Sequence, residues 1–117
     1  MSTTDLGKAG EIEAAKRFKA EGYRILDSNW RCKIGEIDLV LLKDGLLVFA
    51  EVKTRRAGTG FEPEESVTPT KAARLRRLAG AYLAAHPWLE GLECRFDVVC
   101  ARVLGGRITV NVIENAF

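Results

Sequence analysis

The sequence predicts an α/β domain built on a mixed five-stranded sheet with a helix on each side, in the order α-β-β-β-α-β-β. Three observations carry this. Two strand-like apolar runs meet at Asp44-Gly45, a strong signal for a tight hairpin. Two longer segments have helical periodicity with start and stop residues at their ends. The 117 residues fit one domain, spanning 1–117, with room for a real core.

Each element follows in order. The first helix starts near Thr4 or Asp5 and runs to about Glu21, with Gly22 as its stop signal. A strand follows from about Tyr23 to Cys32, and then come the two strands of the hairpin. Arg55 to Ser66, with Gly58, Gly60 and Pro63, reads as a loop. The second helix opens with Thr68 as N-cap and Pro69 at its first position, and continues to about Ala85. A fourth strand covers Cys94 to Val103, Gly105-Gly106 turns the chain, and a fifth covers Arg107 to Ile113. The hairpin strands are apolar on both faces at their turn ends, so the sheet needs cover on both sides.

Composition excludes several classes. Lys and Arg total 18 against 16 for Asp and Glu, so net charge alone says little about nucleic acid. Distribution says more, because Lys53, Arg55, Arg56, Lys71, Arg74, Arg76 and Arg77 fall in one stretch. No apolar run reaches the length that spans a bilayer, and the start lacks a secretory apolar region. The expectation is a cytoplasmic protein with no membrane partner. Cys32, Cys94 and Cys100 form no C-x-x-C pair and read as reduced, at least partly buried thiols. His86 is the single histidine and sits before Pro87, where a helix ends. A histidine zinc site and an internal histidine triad are disfavoured, so any metal is expected to bind through oxygen.

The hairpin register carries the chemistry. With Asp44-Gly45 as the turn, Lys43 faces Leu46, and outward counting puts Asp38 opposite Glu51 and Glu36 opposite Lys53. Opposed side chains have Cβ atoms roughly 4.5–5.5 Å apart, and like charges there are destabilising. Two carboxylates amid Val, Leu and Phe imply a missing cation. By strand parity Leu47, Phe49, Glu51 and Lys53 share one face, with Leu42, Val40, Asp38 and Glu36 beside them. Ile37, Leu39 and Leu41 take the other. The face passes from apolar to charged, as it does where a strand leaves a core and enters a cleft.

Glu11 is the second anomaly. It lies on a helical stripe with Gly7, Ala14, Ala15 and Phe18. It reads either as a first-turn carboxylate favoured by the helix dipole or as a group projecting toward Asp38 and Glu51. In the second case Gly7 and Gly10 would allow close approach. Mg²⁺ takes oxygen ligands, often one or two carboxylates with water and phosphate oxygens. Asp38 and Glu51 supply such a partial shell, Mn²⁺ could substitute, and Glu11 could complete it directly or through water. Lys53, two residues from Glu51 on the same face, would reach the attacking water or a non-bridging oxygen. The competing reading is an ion pair of Lys53 with Glu36 or Glu51.

Lys71, Arg74 and Arg77 recur three apart on the second helix. They form either a solvated face or, with Arg55 and Arg56, a set of phosphate contacts that positions nucleic acid without reading its sequence. Trp30 and Trp88 read as packing residues. Arg95-Phe96-Asp97 opens the fourth strand, and Asp97 is expected to pair with Arg95 or a neighbouring basic residue, with a supporting role near the site also open.

Several of these residues together resemble a known family. Gly10-Glu11, Asn29-Trp30-Arg31, Gly35-Glu36-Ile37-Asp38-Leu39, Phe49-Ala50-Glu51-Val52-Lys53-Thr54-Arg55, Lys71, Arg95-Phe96-Asp97 and terminal Asn115-Ala116-Phe117 are similar to the bacterial YraN-like family over nearly the whole chain. That family resembles archaeal Holliday junction resolvases and the wider PD-(D/E)XK nucleases. The resemblance implies a restriction-endonuclease-like fold and a Mg²⁺-dependent endonuclease on DNA, with branched or junction DNA as a candidate substrate. It further implies a homodimer. Carried over, Asp38 is the motif aspartate, Glu51 and Lys53 the E-x-K pair, and Glu11 the helix carboxylate. Ile37 stands where the motif has proline. The alternative function is a non-catalytic nucleic-acid-binding module that keeps the nuclease fold.

Overall fold

Asp44 and Gly45 both take left-handed backbone, with φ of 49° and 77°. Such a two-residue turn matches the twist of an antiparallel pair. In the computed structural model, which describes residues 2–58 and 68–117, the hairpin register follows from that turn. Lys43 pairs with Leu46, and the ladder runs through Val40↔Phe49 to Leu39↔Ala50.

The elements come in the expected order. They are α1 (Thr3–Ala20), β1 (Arg24–Arg31), β2 (Glu36–Lys43), β3 (Leu46–Arg56), α2 (Pro69–Ala85), a 3-10 turn (Pro87–Leu89), β4 (Glu93–Leu104) and β5 (Arg107–Ile113). The strands lie side by side in sequence order. β3 and β4 run parallel, while the other neighbours are antiparallel. A parallel pair requires a crossover, and α2 lies within it. Ser2 caps α1, its hydroxyl accepting from Asp5 N–H at 3.1 Å, so the helix begins slightly before the expected start. Thr68 caps α2 as expected, its hydroxyl accepting from Lys71 N–H at 3.2 Å.

The helices cover opposite faces. Leu39, Leu41, Val48, Ala50 and Val99 pack with Ala14 and Phe18 of α1. Val40, Leu47 and Phe49 pack with Leu75, Leu78, Ala79 and Tyr82 of α2. The mixed sheet with a helix on each side is therefore observed. Gly10 brings α1 onto β3 so closely that a Cβ there would lie 1.9 Å from Thr54 Oγ1. Gly7 has nothing near it and plays no such part. Among the described residues, no helix is long and apolar enough to cross a membrane.

Three expectations change. Ile37 joins the cluster beneath α2, apart from Leu39 and Leu41, so the simple alternation breaks at Asp38. Arg55 and Arg56 belong to β3, not to a loop, because β4 pairs with them as Arg55↔Arg102 and Arg56↔Val103. The rest of the expected loop, residues 59–67, lies outside the described residues. Cys94 is exposed, whereas Cys32 is half-buried and Cys100 buried.

Candidate functional site

Asp38 occupies the point where β2 and β3 part. The ladder between them stops at Leu39↔Ala50, and the next link is made by a side chain. Asp38 Oδ2 accepts the backbone N–H of Val52 at 2.7 Å. From there β3 is paired only with β4. The opening forms a cavity of about 300 Å³ lined by Glu36, Asp38, Glu51, Lys53 and Arg74 over Ile37, Leu75 and Leu78. Asp38, Glu51 and Lys53 thus meet, as the hairpin implied. Glu36 does not oppose Lys53; it pairs with Arg31 of β1.

The two carboxylates differ electrostatically. Glu51, its side chain 12% exposed, holds Lys53 Nζ at 3.0 Å and Arg74 Nη2 at 3.3 Å, both on Oε1. Among the described residues Asp38 has no ion pair. Burial pushes its pKa up to about 6, against the lowering effect of the Val52 N–H. Repulsion from Glu11, Glu51 and Glu36 raises it further. Asp38 Oδ1 and Glu51 Oε2 accept no hydrogen bond from the described residues. An oxygen from each carboxylate therefore remains for a ligand.

Glu11 lies outside this cavity. Its Oε2 accepts from Asn29 Nδ2 at 2.7 Å, and the same nitrogen donates to Glu36 Oε1 at 2.8 Å. Glu11 lines a second cavity, with Lys8, Ile12, Ser28 and Asn29, and reaches Asp38 through its field. Among the described residues, no group of three or more His, Cys, Asp or Glu side chains stands at metal-holding spacing. The donor set toward a cation is therefore Asp38 with Glu51, which suits an ion that keeps several waters.

Sequence reasoning missed Asn29. Its backbone is left-handed, φ 54°, a conformation Asn tolerates better than most residues, and its amide joins two carboxylates from different elements. The signal was an Asn inside an expected strand. The Val52 N–H bond had no sequence signal at all.

The basic residues divide. Arg74 reaches into the cavity and binds Glu51, while Lys71 is half-buried, Arg77 exposed, and neither lines it. Arg55 and Arg56 are exposed at the end of β3, with Arg55 Nη1 donating to Thr54 O at 2.9 Å. Asp97 is buried and pairs with Arg95 at 2.9 Å, and its other partner is Asn115 N–H. It supports the C-terminal segment and touches no cavity residue. His86 caps α2 and stacks on Tyr82, a helix-end role as expected. Trp30 packs edge-on to Tyr82, whereas Trp88 is 73% exposed.

The family model described as "Uncharacterised protein family UPF0102" matches residues 10–101. A UPF0102 protein of Kineococcus radiotolerans is 48% identical over 98 residues, covering 84% of this chain and 80% of that protein. One from Moorella thermoacetica is 46% identical over 123 residues, covering 100% and 98%. Among solved structures, Pyrococcus furiosus SfsA in complex with Ca²⁺ aligns with a TM-score of 0.40 and 18% identity. It covers 97% of this chain and 64% of that one, a likeness too slight to carry a conclusion.

Proposed function

The chain belongs to the UPF0102 family, and from that premise we propose that it is a Mg²⁺-dependent endonuclease hydrolysing phosphodiester bonds in DNA, branched or junction DNA included. Within this reading the sheet is of the restriction-endonuclease-like kind and the protein works as a homodimer. One observation carries the proposal. Asp38 and Glu51 share a cavity with Lys53, and each keeps one carboxylate oxygen unused by the described residues. An internal salt-bridge scaffold would account for Glu51, which two cations offset, but not for Asp38, which none does.

The residues present fit a divalent ion, since all donors are oxygen and Asp38 carries uncompensated charge. Asp38 and Glu51 would hold it, with Mg²⁺ the expected ion and Mn²⁺ a substitute. Glu11 strengthens the negative field from outside. The chemistry such an ion supplies when bound is Lewis-acid stabilisation of charge on a phosphodiester and activation of water. Lys53 has three donors, of which the Glu51 contact takes one. The others point the same ammonium charge at a water or a non-bridging phosphate oxygen. Arg74, 49% exposed, is placed to exchange Glu51 for a phosphate and so anchor the strand.

Metal titration tests this. Mg²⁺ or Mn²⁺ is expected to raise the melting temperature of wild type but not of Asp38→Ala; no change in either ends the metal assignment. For turnover, Glu51→Ala and Lys53→Ala should lower cleavage of a branched-DNA panel by roughly a hundredfold or more while binding persists. Equal cleavage by wild type and variants would point to a contaminant. A second reading, a non-catalytic nucleic-acid-binding module, draws on the double occupation of Glu51 Oε1 by Lys53 and Arg74. Binding by wild type without cleavage under any divalent ion would favour it.

A further inference from the structure

The half of the sheet formed by β3, β4 and β5 is built differently on its two faces. Toward α1 it presents Val52, Val99, Val110 and Val112, all packed into the apolar cluster there. Strand parity sends the alternate residues to the opposite face. On that face the pairing forms two rows, Lys53↔Cys100↔Asn111 and Arg55↔Arg102↔Thr109. The cluster beneath α2 takes only Phe96 from β4 and nothing from β5, so these rows lie beyond the described apolar packing of α2. Arg55, Thr109 and Asn111 are exposed and Arg102 is half-buried. A small cavity of about 80 Å³ lies among Cys100, Arg102, Thr109, Val110 and Asn111.

The chemistry of the rows is one-sided. They hold cations at Lys53, Arg55 and Arg102 and neutral donors at Thr109 and Asn111, with no carboxylate among them. They carry no aromatic ring on which a base could stack. Lys53 is also a wall of the candidate cavity, so the rows start where that cavity ends. Neighbouring strands lie about 4.8 Å apart, which makes the path from β3 to β5 roughly 10 Å wide. At about 3.4 Å of rise per nucleotide in a strand, that is room for about three nucleotides.

We propose that this face is the exit path of one nucleic-acid strand, gripped by its sugar–phosphate backbone. Arg55 and Arg102 pair with successive phosphates, and Thr109 Oγ1 and Asn111 Nδ2 donate to phosphate or sugar oxygens. Contacts of this kind position a strand without reading its bases. The inference rests on the nucleic-acid reading above and adds residues outside the cavity.

The test is fluorescence anisotropy with a labelled single-stranded oligodeoxynucleotide in EDTA, where no cleavage intervenes. Arg102→Gln is expected to raise the apparent Kd about tenfold. It should also reduce the slope of log K against log salt by about one. Thr109→Glu, at an exposed strand position that tolerates change, should weaken binding in the same direction by placing a carboxylate on the path. Arg24→Gln, on the far edge strand, should bind as wild type does. If wild type binds the oligonucleotide while Arg102→Gln and Thr109→Glu bind equally well with an unchanged salt slope, the path is wrong and the nucleic-acid reading stands. If wild type binds no nucleic acid even at low salt, both fall together.

Discussion

Asp38 is ionised at neutral pH in surroundings that favour its protonated form. Burial is the main cause, and the carboxylates of Glu11, Glu51 and Glu36 add to it. The sign of the resulting pH dependence follows from linkage. With a folded pKa of about 6 and an unfolded value near 3.9, the folded state holds the proton more tightly. In the metal-free protein this group therefore opposes folding fully above about pH 6, and its opposition fades as pH falls toward about 4. Asp38→Asn removes the charge and keeps an oxygen that can accept the Val52 N–H. In EDTA near pH 8 this variant should be more stable than wild type, by at most about 3 kcal/mol. The difference should close as pH falls through about 6, with urea denaturation at several pH values as the measurement. A variant less stable than wild type near pH 8 would mean that the Asp38 charge is already compensated.

At the scale of elements, the contact between α1 and β3 fixes the distance between the site and the helix carrying Glu11. Gly in a helix interior costs about 1 kcal/mol relative to Ala, yet Ala at position 10 would place its Cβ 1.9 Å from Thr54 Oγ1 and 2.9 Å from Thr54 Cβ. Gly10→Ala should therefore destabilise by roughly 2–4 kcal/mol despite its better helix propensity. Thr54→Ala in the same chain should recover part of the loss, read as melting temperatures of the two single variants and the double. A neutral or stabilising Gly10→Ala would show that α1 does not sit this close. The close approach was legible in the sequence because Gly10 precedes Glu11 on the packed stripe. The hairpin register was legible too, because Asp44-Gly45 fixes which residues face each other. It ceased to hold at Asp38, where the sequence implied one more carboxylate pair in the ladder. There a side chain takes the place of the strand: Asp38 accepts the Val52 N–H, and β3 continues with β4 as its partner. Arg55 and Arg56 misled for the same reason, since β4, not local propensity, extends the strand through them. Asn29 was hidden because its left-handed backbone interrupts a segment whose pattern reads as an ordinary strand.

Across the whole molecule a net charge of only +2 conceals two opposed surfaces. Glu36, Asp38 and Glu51 gather at the cavity, with Glu11 behind them, while Lys53, Arg55 and Arg102 run outward from it along the sheet. A phosphate drawn in by the cations meets the carboxylates at the end of its path. Two unit charges about 5 Å apart at an effective dielectric near 20 repel by roughly 3 kcal/mol, enough to cost about a hundredfold in affinity. A divalent ion between Asp38 and Glu51 removes that repulsion, so ion and nucleic acid should bind cooperatively. Lys53→Ala, expected not to cleave, lets this be measured with Mg²⁺ present. Mg²⁺ should tighten DNA binding by roughly ten- to a hundredfold over Na⁺ at matched ionic strength. By thermodynamic reciprocity, DNA should lower the Mg²⁺ concentration needed for half-saturation by the same factor. Adding Asp38→Ala should abolish the coupling while leaving metal-free DNA binding at least as tight. Should Mg²⁺ merely screen, weakening DNA binding in Lys53→Ala as monovalent salt does, the ion and the strand do not meet at this cavity.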